Sequence, residues 1–200
     1  MRTGRIPNQF RRKADGPAVI RCLITNGKSS SNEEKWLGHL AGWIEEGIEL
    51  VQIRERQLSV RKLAELTRKV LQIPNPHGTK ILVNDRADVA LACGAHGVHL
   101  RDGSIDAAYF SRADFMVTVA RHLIEGAEDV KGASFVLLAP VFEPFSKENQ
   151  SGTLGTAALA EFTRRSATPV LALGGITPER ARQCIEAGAA GIAGISCFER

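Results

Sequence analysis

The 200-residue chain lacks several features, and each absence excludes a class of protein. Its four cysteines, Cys22, Cys93, Cys184 and Cys197, are dispersed with no CxxC pair. Such spacing builds neither a disulfide framework nor a cysteine zinc site, so reduced core thiols are expected. No stretch reaches the roughly 18 apolar residues of a membrane span, and the start of the chain lacks the apolar run of a signal peptide. A cytoplasmic protein without a membrane partner is expected. No GxGxxG follows the first strand candidate, which argues against a dinucleotide-binding open sheet. No aromatic platform interleaves with the basic residues near the start, so nucleic acid is not an expected partner.

Hydrophobic residues make up 44% of the chain, enough for one domain with a full core and too little length for a second. Much of the net charge of +4 comes from Arg2, Arg5, Arg11, Arg12 and Lys13. Residues 1–17, punctuated by Gly4, Pro7, Gly16 and Pro17, read as a basic arm. Residues 18–200 then form the domain. Strand candidates run over Val19–Thr25, Leu50–Arg56, Ile81–Val83, Val98–Leu100, Phe115–Val119, Phe135–Val141, Val170–Leu173 and Gly191–Ser196. Helical patterns separate most of them. One opens at Ser31-Asn32-Glu33-Glu34 with Trp36, Leu37, Leu40 and Ile44 at helical spacing, and others cover Val60–Ile73, Val89–Ala92, Leu123–Val130 and Thr156–Arg165.

Near-continuous apolar strands alternating with helices predict an α/β fold, a single parallel (β/α)8 TIM barrel. The chain stops at Arg200, so the last helix is expected to be truncated. The seam between strands eight and one then needs a cover, either the basic arm or a second subunit of a homodimer.

Residues at the carboxyl ends of barrel strands face the active site. Gln52, Arg54 and Arg56 alternate along the second strand, so period two directs all three into the barrel mouth, where two arginines need anions. Glu55 points the other way. Asp85, beside Asn84 at the tip of strand three, suits a Mg²⁺ ligand or a helix N-cap. His99 and Asp102 follow strand four. His122 follows strand five, an address for an acid or base. After strand six comes the longest polar loop, in which Ser146 and Lys147 could close on a phosphate.

The stretch 168–196 reads as strand, glycine turn, helix, strand and turn. Gly174-Gly175 allows a tight turn with exposed amides; Thr177 is a good N-cap and Pro178 suits the first helical position. Arg180 stands where a capping box would place Glu. The amides near Gly174, Gly175, Ile195 and Ser196 converge as an anion cradle, at the usual phosphate position of such barrels.

Four motifs, VQIRER (51–56), LVNDRADVALACGAHGVHL (82–100), PVFEPFSK (140–147) and PVLALGGITPERARQCIEAGAAGIAGIS (169–196), resemble thiamine phosphate synthase and its TenI-like relatives. For the synthase branch the resemblance implies Mg²⁺-assisted transfer of the pyrimidine methyl group from pyrophosphate to the thiazole nitrogen. Gln52 and Arg54 would then contact pyrimidine and pyrophosphate, Asn84 and Lys147 the pyrophosphate, Asp85 the Mg²⁺, and Gly175 with Ser196 the thiazole phosphate. Arg56 replaces a lysine; Arg101-Asp102-Gly103-Ser104 replaces a Gly-Gln-acid-Asp run, so Asp102 is a second Mg²⁺ ligand only with a gapped alignment. The IRER ending, the short run after strand four and His122 lean toward the TenI branch. That branch aromatises a thiazole phosphate carboxylate without a cofactor, with His122 moving the proton and Arg54 and Lys147 among the catalytic residues. A non-catalytic phosphate-ligand-binding relative is the remaining alternative.

Overall fold

A computed structural model describes residues 19–110, 114–126, 130–143 and 152–198. Eight short strands, β1 (Ile20–Ile24), β2 (Leu50–Ile53), β3 (Lys80–Asn84), β4 (Gly97–Leu100), β5 (Met116–Arg121), β6 (Phe135–Leu138), β7 (Val170–Leu173) and β8 (Gly191–Gly194), pair in parallel in sequence order. The ring closes through β1 and β8, with Cys22 opposite Ala193. The expected TIM barrel is therefore the fold. Its strands are apolar on both sides because the sheet is buried on both faces. Cys22, Ile24, Leu50, Leu137, Leu171 and Ala193 fill the lumen, and the outward residues pack under the helices.

Five α-helices cover the barrel among the described residues: α1 (Glu33–Glu45), α2 (Val60–Leu71), α3 (Ala87–Cys93), α4 (Gly155–Arg165) and α5 (Pro178–Glu186). Their starts follow local chemistry. Asn32 accepts from the Lys35 amide, Ser59 from Lys62 and Thr177 from Arg180, each satisfying an otherwise orphaned helix donor.

One expectation changes. The described residues of 123–130 form turns rather than a helix. After β4 the cover is a short 3₁₀ turn, Ala107–Phe110. After β8, where a truncated last helix was expected, the last described residues Ser196–Phe198 make another 3₁₀ turn. Phe198, 1% exposed, packs edge-on against Trp43 of α1, and its carbonyl accepts from Trp43 Nε1 at 3.0 Å. At this point Phe198 covers the β8–β1 seam from within the chain. Residues 1–18, with the basic arm, lie outside the described residues.

Candidate active site

The strand ends bring together a polar ring. Gln52, 1% exposed, sits on the lumen side of β2, and its Nε2 donates to Asn84 Oδ1 at 2.8 Å. Asn84 Nδ2 in turn donates to Asp85 Oδ2 at 3.2 Å. Gln52 Oε1 is buried with no hydrogen-bond partner. A buried acceptor without a protein partner calls for a donor from a ligand or a water.

Asp85 has φ of 56°, a left-handed conformation that costs a non-glycine residue energy and recurs at functional sites. Its amide donates to His99 O at 2.8 Å and its Oδ1 accepts from the Arg101 amide at 3.1 Å, which ties the ends of β3 and β4 together. It does not cap α3, whose N-cap is Arg86 without a side-chain bond. His99 lies in the same wall, its Nδ1 2.9 Å from Thr118 Oγ1. Burial, opposed by nearby Asp85 and reinforced by Arg54 and Arg56, pushes its pKa from 6.5 down to about 4. His99 is therefore neutral at pH 7. Two-residue spacing from Gly97, with Gln52 and Thr118 on the same inner face, was the sequence signal for this position.

The expected row of Gln52, Arg54 and Arg56 is broken because β2 ends at Ile53. Period two no longer applies beyond it. Arg54 is half-buried, and its pKa is lowered by burial and by Arg56 against the raising influence of Asp85 and Glu55. Arg56 leaves the lumen and lines an adjoining cavity of about 310 Å³ with Asn84, Asp85 and Arg101. Glu55 turns inward beneath the β1–α1 connection, accepting from Thr25 Oγ1, the Gly27 and Ser29 amides, Ser29 Oγ and Gln57 Nε2.

Asp102 is drawn elsewhere. Its Oδ1 faces Arg121 Nη1 at 3.2 Å and its Oδ2 accepts from the His122 amide, also at 3.2 Å. A carboxylate already paired with a guanidinium is a poorer ligand for a cation, so Asp102 is a weaker candidate for the metal role than Asp85. Asp85 fits as a single carboxylate, because Mg²⁺ usually takes one or two carboxylates and fills its shell with phosphate oxygens and water. Among the described residues no group of three or more His, Cys, Asp or Glu could hold a metal alone.

His122 is exposed at the end of β5, with Nδ1 2.7 Å from Ala139 O. A carbonyl only accepts, so Nδ1 carries the proton and Nε2 of the neutral ring keeps its lone pair. Ser146 and Lys147 fall in 144–151, outside the described residues.

At the ends of β7 and β8 the glycine turn is as expected. Gly174 and Gly175 have φ of 102° and 60°, and a Cβ on Gly175 would stand 2.3 Å from Glu143 O. Only glycine fits there. Ile195 and Ser196 follow β8 directly beside it, because β7 and β8 are paired.

No described helix is long and apolar enough to cross a membrane. The family profile described as thiamine monophosphate synthase matches residues 21–198. The thiamine-phosphate synthase of Methanoregula boonei is 37% identical over 75% of this chain and 72% of its own length. That of Chlorobium phaeobacteroides is 31% identical over 90% and 87%. A thiamine phosphate pyrophosphorylase from Pyrococcus furiosus shares the fold, with a TM-score of 0.74 at 24% identity, over 89% of this chain and 86% of that one. With a family match across nearly the whole barrel and a relative 37% identical over three quarters of the sequence, the chain belongs to the thiamine monophosphate synthase family.

Proposed function

We propose that this enzyme couples a pyrimidine pyrophosphate to a thiazole phosphate, forming thiamine phosphate and releasing pyrophosphate. The sequence leaned to the proton-transfer branch; the relatives, named thiamine-phosphate synthases, favour coupling. The observation that carries the reading is the orphaned Gln52 Oε1. The pyrimidine of thiamine bears a ring amino group able to donate to it, whereas a thiazole phosphate carboxylate has no such donor. In this reading Gln52 and Asn84 orient the ring, while Arg54 and Arg56 face the leaving pyrophosphate and stabilise its growing charge as the methylene C–O bond breaks. The glycine turn holds the thiazole phosphate so that its ring nitrogen meets the methylene carbon. Mg²⁺, held by Asp85 and pyrophosphate oxygens, would supply further charge neutralisation on the leaving group.

A second reading rests on His122. Its Nδ1–H is fixed by Ala139 O and its Nε2 is free, a geometry for moving a proton on a thiazole phosphate carboxylate. The engagement of Asp102 by Arg121 favours this reading too.

One assay separates them: the protein is incubated with both half-substrates with and without Mg²⁺, and in parallel with the unaromatised thiazole carboxylate phosphate. Mg²⁺-dependent thiamine phosphate formation, lost in Gln52→Leu and kept in His122→Ala, is the expected result. Isomerisation without coupling, reduced by roughly 10²- to 10⁴-fold in His122→Ala, would replace the first reading by the second.

A further inference from the structure

We propose that Arg180 is a positioning residue of the phosphate site: it pins the Gly174-Gly175 turn so that two backbone N–H groups point at the phosphate. The inference rests on the phosphate reading above and adds a residue that the motif left unexplained. Arg180 stands three residues after the N-cap Thr177, where a carboxylate would complete a capping box. Its side chain instead turns back over the turn. Nη1 donates to Gly175 O at 2.8 Å, and the guanidinium lies 4.9 Å from the centroid of the Phe142 ring.

The consequence follows from peptide geometry. In a trans peptide the C=O and the following N–H point in opposite directions. Gly174 O accepts from the Phe142 amide at 3.2 Å, so the Gly175 N–H points away from Phe142. Gly175 O is held by Arg180, so the Ile176 N–H points away from Arg180. Both carbonyls are thereby occupied on the side of residues 140–143 and α5, and both amides are turned the other way. Among the described residues neither amide has an acceptor. Gly175 is buried and Ile176 is only 4% exposed. Buried N–H groups are almost never left unpaired, and consecutive amides turned to one side form an anion-binding nest.

Positive φ at both glycines makes this turn free to adopt other conformations, because glycine has no Cβ to restrict it. The hydrogen bond to Gly175 O and the stacking on Phe142 remove that freedom before the phosphate arrives. Arg180 acts through the turn and needs no contact with phosphate.

The test follows backbone ¹⁵N–¹H resonances of the protein during titration with inorganic phosphate, in the wild type, Arg180→Ala, Arg180→Lys and Phe142→Leu. In the wild type the Gly175 and Ile176 resonances are expected to shift with saturation. In Arg180→Ala affinity is expected to fall roughly 10- to 100-fold with an unchanged far-ultraviolet circular dichroism spectrum. Arg180→Lys keeps a charge and one donor but loses the planar stacking, and Phe142→Leu keeps the backbone N–H donated to Gly174 O; both should bind with intermediate affinity. Wild-type affinity in Arg180→Ala, or full affinity in Arg180→Lys, would overturn the positioning role. Absence of any shift at Gly175 and Ile176 in the wild type would remove the phosphate reading itself, and the role of Arg180 with it, before any variant is compared.

Discussion

His99 gives the site a pH signature of its own. A histidine whose pKa falls from 6.5 unfolded to about 4 folded resists protonation in the native state. Its contribution is fully present above pH 6.5 and is lost as the pH falls through 6.5 toward 4. Complete protonation corresponds to about 3 kcal/mol. Urea unfolding at pH 7.5 and 4.5 should show the wild type losing about 2 to 3 kcal/mol more than His99→Gln over that interval. Equal acid losses in the two proteins would mean that His99 does not carry the effect. The position was readable as a strand-end histidine, but its depressed pKa was not. The shift depends on burial inside the closed barrel and on the charges of Asp85, Arg54 and Arg56 that neighbouring strand ends bring near.

At the scale of elements, the connection from β1 to α1 is held by one side chain from the next strand end. Glu55, 3% exposed, gathers five donors from Thr25, Gly27, Ser29 and Gln57. Thr25 Oγ1 also accepts from the Arg54 amide at 2.8 Å, so the loop and Arg54 share one anchor. Glu55→Gln turns an acceptor into a donor facing donors and should destabilise the fold by about 1–3 kcal/mol. Chemical denaturation checks the number; an unchanged midpoint would show that the loop is held by something else. The alternation Gln52, Arg54, Arg56 was legible, yet where β2 stops was not. Strand ends are set by where the neighbouring strands stop pairing, and β3 pairs with β2 only to Val83.

For the whole molecule, closure of the barrel depends on what lies over β8 and β1. Phe198 and Trp43 are both nearly inaccessible and pack edge to face with ring centroids 5.3 Å apart. Phe198→Ala should cost about 3–5 kcal/mol by opening a cavity beside Trp43. Thermal melting and tryptophan fluorescence report on it together; a variant as stable as the wild type would place the cover of the seam elsewhere.

The chain's own pattern determined the architecture: apolar strands buried on two faces, alternating with capped helices, admit a closed parallel barrel, and two glycines before Thr177-Pro178 specify a tight strand-to-helix turn. Those features are local, since periodicity and capping act within a few residues. Only the tertiary structure decided which charges meet. Asp102 binds Arg121 instead of joining Asp85, Glu55 turns inward to anchor a loop, and Arg180 reaches Gly175 and Phe142. Each of these contacts depends on chain positions that only the closed barrel and its loops bring within hydrogen-bonding distance. Sequence spacing alone sets the face on which a side chain starts, and the packed neighbours set where its charge ends.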